Sequence, residues 1–113
     1  MDPTAPIIIA DGRDVVAYRT AADAALALEG PDVLDGTYQG FDARGRVLRL
    51  ESEGGPHDYS ARVRIALADS APQPDRLAEL VHRSLDAAGL VVPPGASLDD
   101  LLWAFLAKYG YAR

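Results

Sequence analysis

From Tyr59 to Leu67 the chain alternates without a break. Tyr59, Ala61, Val63, Ile65 and Leu67 fall on one side, and Ser60, Arg62, Arg64 and Ala66 on the other. Period-two alternation places successive side chains on opposite faces of a strand, so this stretch predicts a strand with one buried and one wet face. That pattern belongs to antiparallel sheets, because parallel sheets are covered on both faces. Two more strand-like runs precede it. Tyr38–Asp42 and Arg46–Glu51 are separated by Asp42-Ala43-Arg44-Gly45, a turn in which Gly45 suits a positive φ. Gly54-Gly55-Pro56 then breaks the chain before the third run. The expectation is a three-stranded meander at the centre of the fold.

Upstream, Ile7-Ile8-Ile9 and Val15-Val16-Ala17-Tyr18 are β-branched runs on either side of Asp11-Gly12. Asp-Gly between apolar runs signals a hairpin, and one broken strand after an ordered tail is the alternative. Residues 1–6 carry two prolines and no pattern, and read as a loose N-terminal end.

Three helices are expected. Thr20 caps the first, with Asp23 in the capping-box position. Its packing face would carry Ala22, Ala25, Leu26 and Leu28, and Gly30-Pro31 would stop it. Asp75 is a plausible N-cap for the second, whose apolar stripe is Leu77, Leu80, Val81, Leu85 and Ala88, ending at Gly89. Ser97 caps the third, with Asp100 at the box position and one apolar face of Leu98, Leu101, Leu102, Phe105, Leu106 and Tyr109. The expected fold class is α+β: one small domain over residues 1–113, with an antiparallel sheet and about three helices packed on one of its faces.

Composition matters mainly for what it excludes. No cysteine is present, so disulfide scaffolds, thiol catalysis and thiolate zinc sites are ruled out. No apolar run is long enough to span a membrane or to form a secretion signal, which points to the cytoplasm. The formal net charge of −6 disfavours nucleic acid and favours steering toward a basic partner.

Chemistry-bearing groups do not converge. His57 and Asp58 are adjacent, so in a strand they would face opposite ways, and a solvated loop histidine is the simpler account. His82 borders the apolar stripe of its helix. The serines form no nucleophile elbow, the glycines form no phosphate loop, and no residues sit at metal-ligand spacing. Neither catalysis nor a cofactor or metal is expected. Arg49, Arg62 and Arg64 share the wet face with Glu51. They read either as a cross-strand charge ladder or as an anion-binding face. Trp103 falls off the apolar face of the last helix, one turn after Asp99, with Asp100 and Tyr111 near in sequence. Tryptophan is favoured at interface hot spots, so Trp103, Asp99, Asp100 and Tyr111 are the candidate partner-binding residues.

The run Ala25-x-x-Leu28-Glu29-x-x-Asp32-Val33-x-x-Gly36-x-Tyr38-x-x-Phe41-Asp42-x-x-Gly45-Arg46-x-Leu48 resembles a group of small bacterial immunity proteins of polymorphic-toxin systems. The resemblance spans Tyr18–Leu50, about a third of the chain, and rests on hairpin and capping residues. It implies a non-catalytic cytoplasmic protein that neutralises a toxin domain by binding it. It transfers no toxin-contacting residue. The alternative reading is an accessory domain that holds an anion on the arginine face. The oligomeric state is left open, though the Ile7–Tyr18 strands could pair two chains at an exposed edge.

Overall fold

A computed structural model describes residues 1–12 and 14–111. In chain order the elements are β1 (Ile7–Asp11), β2 (Asp14–Tyr18), α1 (Ala21–Ala27), α2 (Gly30–Leu34), β3 (Tyr38–Phe41), β4 (Leu48–Ser52), β5 (Val63–Leu67), α3 (Pro74–Ala87) and α4 (Leu98–Ala107). The class is α+β with antiparallel pairing throughout, as the alternation implies.

β1 is the central strand. The Asp-Gly signal does close a hairpin: Ile7 pairs with Tyr18 and Asp11 with Asp14, and Gly12 turns at φ 58°. β3 lies on the other side of β1, giving the order β2-β1-β3. β1 is buried on both faces, with Ile7, Ile8 and Ile9 at 0%, 0% and 2% exposure. Burying each such side chain contributes about 1.5–3 kcal/mol. Its alternation therefore feeds two cores. Ile8 and Ala10 join Phe41, Leu77, Val81, Leu85, Leu102 and Phe105. Ile7 and Ile9 join Ala24, Leu28, Leu48 and Val63 on the opposite face.

This double burial corrects two expectations. The helices do not share one face. α3 and α4 cover the first core, whereas α1 packs over the second beside β4 and β5. The Tyr38–Leu67 runs also do not form one sheet. β4 pairs with β5 as a separate two-stranded sheet, and a single Phe41–Val47 bridge links it to β3. Gly40 explains the break. A Cβ there would sit 3.2 Å from Leu48 Cβ and from Ile9 Cδ1, so the bare backbone lets β4 cross closely over β3 instead of continuing its ladder.

Smaller differences have local causes. The final strand is shorter than its alternation, and Tyr59 lies in a turn, 66% exposed. A fourth helix, α2, begins at Gly30-Pro31 itself, with proline in its first turn, where the missing N–H costs nothing. α1 buries Ala24 and Leu28, leaving Leu26 at 87% exposure, so its packing face is rotated from the expected one. α3 begins at Pro74, with Gln73 rather than Asp75 at the N-cap position and no side-chain capping bond there. The Thr20 and Ser97 caps form as expected, accepting from the Asp23 and Asp100 amides at 3.0 and 3.1 Å.

The expected loose N-terminal end is instead tied down. Asp42 is fully buried. Its Oδ1 accepts from the Arg44 and Arg46 amides at 3.0 Å each. Its Oδ2 accepts from the Thr4 amide at 3.0 Å and from Arg46 Nε at 2.7 Å. The Ala43 amide donates back to the Thr4 carbonyl at 2.8 Å, and the Gln73 amide donates to the Gly45 carbonyl at 2.7 Å. One turn thus holds the segment before β1 and the start of α3. Burial alone would raise the Asp42 pKa. The Thr4 amide, the Arg46 side chain and the two turn amides outweigh it and hold the carboxyl below its ordinary value.

Candidate functional site

The C-terminal half of α4 and the residues just after it bring several aromatic side chains together. Phe105 is buried, and Tyr109 packs edge-on against it with centroids 5.5 Å apart. Gly110, at φ 82°, reverses the chain, and the Tyr111 amide donates to the Leu106 carbonyl at 3.3 Å. This reversal brings Tyr111 back toward Trp103. Arg19, just after β2, places its guanidinium 5.4 Å from the centroid of the Tyr111 ring. Trp103, Leu106, Tyr109 and Tyr111 line an open cleft of about 620 Å³, with Arg19 at one wall and Ala5-Pro6 at another. Trp103 is half-buried and packs against the first core.

Two of the four candidate residues, Trp103 and Tyr111, therefore line the same cleft. Neither acid is among the described residues that line this cleft. Asp99 and Asp100 are exposed in the first turn of α4, and Asp100 lines a separate hollow of about 300 Å³ with Ala104 and the Val91–Ala96 connection. The charged side chain among the described residues lining the cleft is Arg19. Both acids occupy the first turn of α4, where the positive end of the helix dipole favours anions.

Tyr109 closes the far side of the cleft. Its hydroxyl donates to the Val15 carbonyl on β2 at 3.3 Å, across 94 residues of sequence. Burial raises its pKa, with the Ala17 backbone amide partly opposing the shift. A second hollow of about 700 Å³ lies beyond it, lined by Asp14, Val15, Leu80, Arg83 and Lys108. Neither Arg19 nor Tyr109 stands out in the sequence as a site residue. Tyr109 continues an apolar stripe, and Arg19 looks like any exposed strand-end arginine.

The arginine-bearing face forms on β4 and β5 as the alternation places it. Arg49 Nε lies 2.9 Å from Glu51 Oε1, and Arg64 Nη2 lies 3.1 Å from Glu51 Oε2. Arg64 Nε also approaches Glu53 at 3.6 Å. Arg62 is exposed at the end of the same face. The carboxylates interleave with the cations, which is the charge-ladder arrangement.

His57 is exposed in the turn before β5, and His82 Nδ1 lies 3.0 Å from Asp86 Oδ2 on the exposed side of α3. Among the described residues, no group of three or more His, Cys, Asp or Glu side chains could hold a metal ion. No described helix is long and apolar enough to cross a membrane. What the cleft offers is aromatic surface, a cation and backbone polar groups, which suits recognition.

No family model, curated protein or solved structure matches this chain. The residues of the turn between β3 and β4 can be read from the geometry alone. Asp42, Gly45, Arg46 and Leu48 each have a structural job. Asp42 and Arg46 close the turn, Gly45 carries φ 79° against Pro74, and Leu48 packs into the second core.

Proposed function

We propose that this chain is a non-catalytic binding protein acting in the bacterial cytoplasm, where it neutralises a toxin domain by holding it at the Trp103–Tyr111 cleft. The observation that carries the reading is the convergence of Trp103, Tyr109 and Tyr111 on one open cleft of about 620 Å³. Tryptophan and tyrosine provide large contact area at low entropic cost and dominate binding hot spots. The toxin as partner comes from the resemblance over Tyr18–Leu50. The net charge of −6 supports electrostatic steering of a basic partner toward the molecule as a whole.

The anion-binding alternative is less favoured, because Arg49 and Arg64 already face Glu51 and Glu53.

The test is co-expression with neighbouring open reading frames, scored for toxicity and for co-purification. A neighbour that is lethal alone, tolerated with this chain, and recovered in a stoichiometric complex supports the reading. Absence of any toxic or co-purifying neighbour would count against immunity.

A further inference from the structure

β2 is an edge strand. The Tyr109 hydroxyl reaches the Val15 carbonyl from outside the sheet, so Ala10–Val15 is a non-hydrogen-bonded pair and Asp11–Asp14 a hydrogen-bonded one, and in an antiparallel ladder such pairs alternate. Asp14, Val16 and Tyr18 therefore turn their backbone groups inward to β1. Val15 and Ala17 turn theirs outward. An incoming strand residue would satisfy those outward groups by accepting from one and donating to the other. The Tyr109 hydroxyl stands in for it: it donates to the Val15 carbonyl at 3.3 Å and faces the Ala17 amide. One side-chain oxygen covers the edge where a strand would lie.

The hollows of about 620 and 700 Å³ lie on either side of this hydroxyl, and Tyr109 lines both. Together they make a groove, with Asp14, Val15 and Val16 of β2 in one hollow, Arg19 just past the end of β2 in the other, and Tyr109 common to both. Its charge is opposite to that of the chain. Among the described residues, Arg19, Arg83 and Lys108 line it against one carboxylate, Asp14, in a sequence with 17 acids and 11 bases. Arg19 and Lys108 are held over the Tyr111 and Phe105 rings rather than by carboxylates. Arg83 reaches Glu79 only at 3.8 Å.

We infer that the β2 edge is the docking site of an extended, acidic segment of a partner protein. The segment adds to the sheet as a fourth strand when it takes the Val15 and Ala17 backbone groups from the Tyr109 hydroxyl. Main-chain hydrogen bonds supply affinity in such strand addition, and flanking side chains supply selectivity. Carboxylates at the two ends of the segment meet Arg19 on one side and Lys108 with Arg83 on the other. The inference rests on the binding-protein reading for the existence of a protein partner, not for its being a toxin.

The experiment titrates isotope-labelled full-length protein with the blocked peptide acetyl-Glu-Val-Glu-Val-Glu-Val-amide, and with its Lys-for-Glu counterpart, followed by amide NMR. The acidic peptide is expected to shift the Val15–Arg19 amides saturably and to slow exchange at the Ala17 amide. The lysine peptide is expected to do neither. Tyr109→Phe removes the competing hydroxyl and is expected to tighten acidic-peptide binding about 2- to 10-fold, the worth of one hydrogen bond. Arg19→Gln should weaken it. No saturable shift at millimolar peptide, equal binding of both peptides, or unchanged affinity in Tyr109→Phe would overturn the inference. If a neighbouring protein rescues growth and co-purifies but the β2 amides do not move, strand docking fails and the binding reading stands. If the peptide docks but no neighbour binds, the reverse holds.

Discussion

Arg46 holds the buried carboxylate of Asp42 through both Nε and Nη2, each 2.7 Å from Oδ2. The guanidinium then continues to the Thr4 hydroxyl at 3.0 Å and the Asp2 carbonyl at 3.3 Å. A carboxylate with no solvent exposure that accepts four hydrogen bonds is stabilising only as a complete set. Removing it leaves the Thr4, Arg44 and Arg46 amides without their acceptor and a largely covered guanidinium without its counter-charge. Asp42→Ala is expected to lose about 3 kcal/mol of unfolding free energy, within the range for breaking a buried pair. Urea denaturation monitored by Trp103 fluorescence measures it.

The same carboxyl makes stability depend on acid. Its folded-state pKa lies below the ordinary 3.8, so the unfolded chain binds the proton more readily. The stabilisation is complete above the unfolded value and is lost as pH falls from there through the folded value. Denaturation curves recorded from pH 6 down to pH 2 should show a fall that begins near pH 4. Asp42→Ala should have a shallower fall over the same window.

Gly45 tests the contact between this turn and α3. Its φ of 79° disfavours any other residue, and a Cβ would sit 2.5 Å from Pro74 Cα. Gly95 has a similar φ of 76° but open space around it. Gly95→Ala should cost about 1 kcal/mol from the backbone alone. Gly45→Ala should cost clearly more, because Pro74 is backbone and cannot swing away. Paired thermal melts give the comparison, and equal losses would mean that α3 yields freely.

At the cleft, Trp103→Ala should weaken capture of the partner identified by co-expression by at least about 10-fold, the scale of a hot-spot residue. Its half-buried position means some stability is lost as well. Circular dichroism should still show a folded protein, and binding should be measured well below the melting temperature. Asp99→Asn, outside the cleft, should change affinity by less than about 3-fold and act mainly on the association rate.

On the arginine face, Arg64→Gln should cost under about 1 kcal/mol, as exposed ion pairs do. A double-mutant cycle with Glu51→Gln should give a coupling that shrinks in high salt. Partner capture should be unaffected. A partner lost on changing Arg64 would move the site to the two-stranded sheet.

What could be read from the sequence was local. The Ile7–Ile9 hairpin, the Thr20 and Ser97 caps and the Gly89 stop each depend on residues a few positions apart, and each is present. What could not be read was non-local. Alternation shows that a run is a strand but not which strand it joins, so β3 was given to β4 when it belongs to β1. Asp42 was legible as a turn residue. Nothing local distinguishes an aspartate that bonds its own turn from one that also receives Thr4 from 38 residues away. α2 has five residues, too few for a helical period to show. At the candidate site, Trp103 and Tyr111 were visible as aromatics without a place in the core stripe. Arg19 was not, because it reaches the cleft from the far end of the chain.

The placement of β1 has a consequence for how the protein must be made. β1 precedes every other element in the chain, yet half of its cover, α3 and α4, comes last. Between synthesis of Ile9 and of Phe105 a ribosome needs about 5–20 s at ordinary elongation rates. During that interval an isoleucine triplet with strong β propensity has no finished core to enter. The β2 hairpin and α1 can shelter one face of it early, and the other waits. Production of this protein should therefore be unusually sensitive to whatever slows translation after β3, and early-binding chaperones should matter more to its yield than its final stability would suggest.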